Sequence, residues 1–300
     1  MKQQPEIGIA LSGGGVRGAA HAGVFKAMEE SGIKVTRLSG SSAGAMAGVL
    51  YAAGHGPEEI LEFFKVNAGN IFQWKHLAHS KPGMLDSDKY AELFEPWLQE
   101  HTFETLSKKL HICVTDVLQG NIRYFSSGEL VRPLLASAAI PGVFTPVEIG
   151  ENWYIDGGTM NNFPVEPLVG QCDVLLGSFV SLKKPLEKSE LASTLQLINR
   201  ASDLSFMAVS VYKFKWCDLV FAPSTLWQYG IFDTKKVDEI YQAGYEHACR
   251  KMDKLMAILE VVQQGTMRRP ETGATEKEIP GEDGDSKPGT WRSKLKGLLL

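Results

Sequence analysis

The chain has 300 residues, of which 44% are hydrophobic and 22% charged, and its formal net charge is −4 at pH 7. This composition predicts a globular protein of one large or two modest domains. A chain of this length buries about 75% of its unfolded surface, so it needs no disulfide or metal to hold its fold. The slight negative charge gives no reason to expect nucleic acid as a partner.

The four cysteines, Cys113, Cys172, Cys217 and Cys249, lie far apart, without the close pairs used by zinc sites and redox motifs. We expect buried thiols and no metal. The N-terminus shows no secretory signal, and no apolar run reaches the ~18 residues of a membrane span. Together these features predict a cytoplasmic protein.

A glycine-rich loop follows the first apolar run, at residues 7–11. It reads Ser12-Gly13-Gly14-Gly15-Val16-Arg17-Gly18 and leads into a helix-forming segment, which predicts a strand, a loop and a helix. One use of such a loop is a dinucleotide site, with pyrophosphate at the helix N-terminus. Residues 31–42 lack the acid that would hold the ribose, which counts against this interpretation.

The same loop also suits acyl transfer, because that reaction develops a negative oxygen that needs preorganised N–H donors. Gly13, Gly14 and Gly15 would expose such donors without side chains in the way. The helix that begins near Gly18 adds partial positive charge at the same place. Arg17 is either a supporting cation or an ordinary surface arginine.

A second strand, predicted at residues 35–39, ends in a serine-rich turn. The turn contains Gly40-x-Ser42-x-Gly44, the spacing of a nucleophile elbow, in which a sharp strand-to-helix turn presents a serine hydroxyl. The alternative is a plain helix N-terminus capped by serine. Two successive strand–turn–helix units predict parallel strands, so both glycine-rich turns would lie at one edge of the sheet.

Residues 57–106 combine a helical pattern with many aromatic side chains. These form part of the core, which we favour, or they cover the site and line an apolar channel. Further strands are predicted at residues 110–117, 122–125, 147–149, 153–155, 173–180 and 218–222. Further helices are predicted at residues 129–139, 189–215 and 235–262.

A serine nucleophile needs a base to take its proton. In the order serine, acid, histidine, only His247 lies beyond Asp156, and it falls inside a predicted continuous helix, so a conventional triad is hard to build. Asp156 is the other choice. It ends a predicted strand, Gly157 and Gly158 allow close approach, and a carboxylate in a partly dry site can take the proton of Ser42 directly.

The last part of the chain differs in composition from the rest. Residues 265–300 are rich in glycine, proline and acids and are predicted to be disordered, which leaves one domain at residues 1–264. Residues 291–300 carry three basic side chains among apolar ones. This end either makes peripheral contact with an anionic membrane surface or is an inert tail.

Four segments taken in order resemble the patatin-like phospholipase family. They are the loop Gly13–Gly18, the turn Gly40–Gly44, the segment Ala138–Phe144 and the turn Asp156-Gly157-Gly158. The similarity extends over about residues 5–250, with the core motifs within residues 5–170. It implies an α/β protein with a three-layer α/β/α fold around a mainly parallel sheet.

The resemblance also implies an activity, the hydrolysis of lipid acyl esters by a Ser–Asp dyad, without a metal or another cofactor. Ser42 would be the nucleophile, Asp156 the general base, and the backbone of Gly13 to Gly15 the oxyanion hole. Ser12 stands where many relatives carry an acid, which leaves the hole intact. The alternative is a catalytically weak lipid-binding or regulatory protein that uses the same pocket.

Overall fold

The computed structural model describes residues 5–68, 77–78, 82–98 and 102–265. The predicted disordered tail, apart from Gly265, and its basic–apolar end lie outside these residues. The strands are β1 Ile7–Leu11, β2 Arg37–Ser41, β3 Lys109–Asp116, β4 Asn121–Phe125, β5 Val147–Ile149, β6 Asn152–Asp156, β7 Val174–Ser178 and β8 Leu219–Phe221. The α-helices are α1 Ala19–Glu30, α2 Ala43–Ala53, α3 Pro57–Ala68, α4 Val131–Ser137, α5 Gly158–Asn161, α6 Thr194–Tyr212, α7 Val237–Cys249 and α8 Met252–Gln263.

All eight strands belong to one sheet, in the order β5-β6-β3-β2-β1-β7-β8, with β4 paired to β3. The five strands from β3 to β8 in this order run parallel. β4, β5 and β6 pair antiparallel. Every residue of β1 and β7 is buried, as expected for central parallel strands covered by helices. The predicted α/β class, with a mainly parallel sheet flanked by helices, is confirmed.

The register on β3 decides where the turns at Ser42 and Asp156 lie. β2 pairs with the first part of β3, ending with Ser41 opposite Cys113. β6 pairs with the last part, and Asp156 lies opposite Val114. β4 occupies the other edge of β3 at residues 112–116, which include the last two residues paired with β2 and all three paired with β6. β2 and β6 therefore share one edge of β3 and meet end to end. The C-termini of these two strands are therefore adjacent in the sheet.

Some predicted boundaries were wrong for identifiable reasons. β2 extends through Gly40 and Ser41, because these residues pair with β1 and β3. The helix predicted at residues 235–262 is broken into α7 and α8 by a tight turn in which the Lys251 amide donates to the Ala248 carbonyl at 2.9 Å. The turn lets α8 bury Met252, Leu255 and Leu259.

The four cysteines are all free thiols. Cys113 is buried, Cys172 and Cys217 are half-buried, and Cys249 is exposed. The expectation of a buried thiol was therefore wrong for Cys249, which is the last residue of α7 and faces solvent. Within the described ranges, no helix is both long enough and apolar enough to cross a lipid bilayer.

Candidate active site

Ser42 lies between β2 and α2 in a strained conformation. Its φ of 52° and ψ of −123° make it the one non-glycine residue with positive φ in the described part of the chain. Such a backbone costs about 1–3 kcal/mol and persists only where neighbouring structure holds it. A Cβ on Gly40 would lie 2.5 Å from the Gly44 carbonyl oxygen, and one on Gly44 would overlap the Leu11 carbonyl. The turn is therefore tight enough to require both glycines.

Ser137 holds the backbone of this turn. The Ser42 amide donates to Ser137 Oγ at 2.9 Å, and Ser137 Oγ donates to the Cys113 carbonyl at 2.7 Å. Ser137 is fully buried at the end of α4. Sequence reasoning missed this residue, and its position directly before Ala138–Phe144 was the only available signal.

Asp156 ends β6 and is 6% exposed. Its Oδ1 accepts a 2.7 Å hydrogen bond from the Gly158 amide, and its carbonyl accepts one from Thr115 Oγ1 at 3.1 Å. Burial raises the pKa of Asp156 from 3.8 to about 6, and hydrogen bonds from the Ser42 side chain and the Gly158 amide oppose that rise. A Cβ on Gly157 would overlap the Cys113 carbonyl. The Ser42 side chain and the Gly158 amide therefore favour the ionised form of Asp156, against the effect of burial.

The glycine loop after β1 contains two free amides. The Gly13 amide donates to the Asn162 carbonyl at 3.1 Å, so the expectation of three free donors is corrected to two. The Gly14 and Gly15 amides make no hydrogen bond to any residue that the structure describes. The Gly14 carbonyl accepts from the Arg17 amide and from Arg17 Nε, at 3.3 and 3.2 Å. Because a trans peptide is planar, these bonds point the Gly15 N–H in the opposite direction.

Arg17 is buried, with 2% of its surface exposed, which excludes the surface-arginine alternative. Burial lowers the pKa of Arg17, and the charge of Asp203 opposes this effect. Gly18 packs closely against α2, since a Cβ on Gly18 would lie 2.7 Å from Ala43 Cβ. Arg17 thus stabilises the glycine loop through its hydrogen bonds to the Gly14 carbonyl.

His247, the histidine considered as a base, and His21 both bind other parts of the fold. His21 is fully buried, with Nε2 donating to the Ser12 carbonyl at 2.9 Å and Nδ1 accepting from Ser178 Oγ at 2.7 Å. His247 Nε2 accepts from the Ala222 amide at 3.2 Å. Burial lowers the pKa of each ring to about 4, so both stay neutral at physiological pH.

An apolar cavity opens beside Ser42, with about 870 Å³ of empty space, part of it open to solvent. Six of the residues that line it are aromatic: Phe63, Phe64, Tyr90, Phe94, Phe144 and Phe232. The first four belong to the stretch at residues 57–106 and are also buried. These four side chains are therefore part of the core and also line the cavity. Ile71, Phe72 and Trp74 of the same stretch lie outside the described residues. Phe232, on a loop before α7, carried no signal in the sequence.

The model of the patatin-like phospholipase family matches residues 9–169, which include both Ser42 and Asp156. The chain belongs to this family. The resemblance found in the sequence is thereby confirmed, and the four segments that carried it all fall within the matched patatin-like region.

Two relatives differ in how much of the patatin-like chain they match. An uncharacterised NTE family protein of Mycobacterium tuberculosis is 32% identical over 166 residues, which are 55% of this chain and 46% of that protein. Lysophospholipase nte1 of Aspergillus fumigatus is 26% identical over 301 residues, which are 91% of this chain and 19% of that protein. The matched regions thus span less than half the length of these curated relatives.

Among solved structures, human GIVD cytosolic phospholipase A2 aligns with a TM-score of 0.51. The alignment covers 87% of this chain and 63% of that one, at 9% sequence identity. At this identity the likeness concerns the fold, and it agrees with the sheet and helix arrangement described above.

Proposed function

We propose that this patatin-like protein is a serine-dependent hydrolase of lipid acyl esters. One observation carries the proposal: Ser42, on its strained elbow, is hydrogen bonded to the buried Asp156 carboxylate at the wall of an apolar cavity. A nucleophile, a base and an apolar cavity are the parts that hydrolysis of a lipid ester through a covalent intermediate requires. Membership in the patatin-like phospholipase family supports a lipid as substrate.

In the first step, the acyl chain lies in the cavity and Ser42 Oγ attacks the ester carbonyl carbon. The hydroxyl proton passes to Asp156, and the carbonyl electron pair moves onto oxygen. The amides of Gly14 and Gly15, which have no other partner in the described structure, donate to that oxyanion. Collapse of the tetrahedral intermediate expels the alcohol, which leaves with the proton from Asp156, and an acyl ester remains on Ser42.

In the second step, water attacks the acyl carbonyl and its proton passes to Asp156. The same two amides meet the second oxyanion. Collapse breaks the bond to Ser42 Oγ, which recovers the proton from Asp156, and the fatty acid is released. Arg17 contributes indirectly, because its bonds to the Gly14 carbonyl fix the direction of the Gly15 amide.

A lysophospholipid is the first substrate to test, for two reasons. The cavity wall is apolar and suits one acyl chain, and the Aspergillus relative is named a lysophospholipase. Glycerophospholipids, acylglycerols and simple long-chain esters form the comparison set, since phospholipases, lipases and esterases can all use this chemistry.

The test compares wild type with Ser42→Ala and Asp156→Asn on a lysophospholipid and on a soluble p-nitrophenyl ester. Both variants should fold and lose turnover. Ser41→Ala is the matched control, because Ser41 Oγ is buried without a hydrogen-bond partner in the described structure. Substantial turnover by Asp156→Asn would refute the dyad.

An activated phosphonate ester separates the enzyme from the alternative. It should label wild type at Ser42 and leave Ser42→Ala unlabelled. Binding of lipid without labelling or turnover would instead indicate a catalytically weak lipid-binding protein.

We also propose a separate test for the basic–apolar end at residues 291–300. Its three basic side chains would favour anionic vesicles if it contacts a membrane. Truncation after Gln264 should then weaken binding to phosphatidylglycerol vesicles. Unchanged binding would refute a membrane role for this segment.

A further inference from the structure

Asn162 ties the turn after Asp156 to the glycine loop. It directly follows α5, and its carbonyl accepts the 3.1 Å hydrogen bond from the Gly13 amide. This hydrogen bond involves only backbone atoms, so it does not use the Asn162 side chain. Asn162 is half-buried, so part of its surface remains accessible.

The side chain of Asn162 lies beside both members of the proposed dyad. A Cβ on Gly158 would lie 2.9 Å from Asn162 Oδ1 and 2.9 Å from Asp156 Oδ1, so the two oxygens face one small space. A Cβ on Gly13 would overlap Asn162 Oδ1 and lie 3.2 Å from Ser42 Cβ. The carboxamide oxygen is therefore close to the base on one side and to the nucleophile on the other.

This oxygen has no hydrogen-bond partner among the residues that the structure describes. The preceding residue, Asn161, is different: it is buried, its Nδ2 donates to Tyr124 and Glu166 at 2.8 and 2.9 Å, and its Oδ1 accepts from Lys213 at 2.5 Å. Asn161 thus anchors α5 to the fold. Asn162 presents an unused acceptor at the active site.

We propose that Asn162 positions the water that hydrolyses the acyl-enzyme; this inference rests on the proposed function. One water O–H donates to the Asp156 carboxylate and the other to Asn162 Oδ1, so a lone pair of the water faces the acyl carbon. Attack forms the new C–O bond and transfers the first proton to Asp156. The second proton stays on the product carboxyl group, and collapse returns the proton of Asp156 to Ser42 Oγ.

The proposal predicts an effect on the second step only. During acylation the nucleophile is part of the chain and the elbow fixes its orientation. During deacylation the nucleophile is a free water, and Asp156 alone would fix only one of its two O–H bonds. A second acceptor supplies the missing orientation, and loss of such positioning costs roughly 10- to 100-fold in rate.

The experiment uses Asn162→Ala and Asn162→Leu with a p-nitrophenyl ester of a medium-chain acid, followed by stopped flow. Leucine is close in size to asparagine and accepts no hydrogen bond, so it keeps the test valid where alanine loosens the turn. Met160→Ala, an exposed position of α5, is the matched control. Both Asn162 variants should release about one equivalent of p-nitrophenol in a burst, followed by turnover slowed roughly 10- to 100-fold.

Two further readouts test the cause of the slow phase. Intact mass spectrometry should detect the acyl group on Ser42 in the Asn162 variants during turnover. Phosphonate labelling of Ser42, which reports acylation alone, should keep its wild-type rate. Equal losses in labelling and turnover would overturn the proposal in favour of a structural role, and unchanged turnover would overturn it outright. Failure of the proposed function would look different, because wild type itself would then show neither labelling nor turnover.

Discussion

Replacing Asp156 with asparagine should make the folded protein more stable at neutral pH. Burial raises the pKa of Asp156 from 3.8 to about 6, so the ionised carboxylate is disfavoured in the fold relative to the unfolded chain. Each pKa unit corresponds to about 1.36 kcal/mol, so the charge costs the folded state about 3 kcal/mol above pH 6. Asparagine keeps the oxygen that accepts from Gly158 and carries no charge.

The sign of the pH dependence follows from proton binding. The folded protein keeps the Asp156 proton to higher pH than the unfolded chain does, so wild-type stability falls as pH rises from about 4 to about 6. The asparagine side chain does not titrate. The stability gain of Asp156→Asn should therefore grow from about 2 kcal/mol at pH 5 to about 3 kcal/mol at pH 8.

The assay is urea unfolding of wild type and variant at pH 5 and pH 8, followed by circular dichroism and tryptophan fluorescence. Asp116→Asn is the matched control, since that buried carboxylate accepts from the Leu118 and Gln119 amides at 3.0 Å each. It should lose stability, because charge-assisted bonds are weakened. Equal or lower stability of Asp156→Asn at pH 8, or a gain that does not change with pH, would refute the reasoning.

The remaining predictions concern the same site. The kcat/KM for a soluble ester should fall about tenfold per pH unit below about pH 6, because protonated Asp156 accepts no proton. Ser137→Ala leaves the elbow amide unpaired and should cost about 1–3 kcal/mol in urea unfolding, with a lower kcat. Gly15→Ala should reduce kcat, because a Cβ there overlaps a neighbouring carbonyl at a φ of 60°, whereas Gly32→Ala, at 71° in open space, should not. His247→Ala should leave steady-state kinetics unchanged, because the ring bonds a backbone amide of the fold.

Contrary results would be specific for each prediction. A flat profile between pH 5 and pH 7 would argue against Asp156 as the base. Unchanged unfolding of Ser137→Ala would show that the elbow keeps its conformation without this bond. Wild-type kcat in Gly15→Ala would exclude the loop as the oxyanion donor. Loss of catalysis by folded His247→Ala would restore a histidine base.

The sequence predicted those features that depend on residues close together in the chain. The glycine spacing around Ser42 and after Asp156 reflects close backbone approaches that no other residue permits, so both turns could be placed from the sequence. All eight strands could be placed as well, because apolar runs bounded by turn residues are visible locally. Their order and register could not, because pairing of β6 with β3 depends on contacts between distant segments.

Other residues of the site could not be predicted from their neighbours in the sequence. Ser137 is an ordinary serine at a helix end, and its role depends on the two distant groups that it joins. Asn162 and Asn161 are adjacent and chemically identical, and only the fold assigns Asn161 to a buried hydrogen-bond network and Asn162 to a place beside Asp156 and Ser42. Gly13 was expected to donate to an oxyanion, but its amide is used by the Asn162 carbonyl, a contact that spacing along the chain does not reveal.

The end-to-end meeting of β2 and β6 on β3 has a consequence for protein engineering. Ser41, which precedes Ser42, and Asp156 pair with consecutive residues of β3, Cys113 and Val114. The connection between β3 and β6 therefore does not set the separation of Ser42 and Asp156. The exposed turn at Gly120, with open space around it, is therefore a suitable point for inserting a peptide or a reporter domain. A slip of β6 by one residue on β3 would instead turn Asp156 to the opposite face of the sheet and separate the pair.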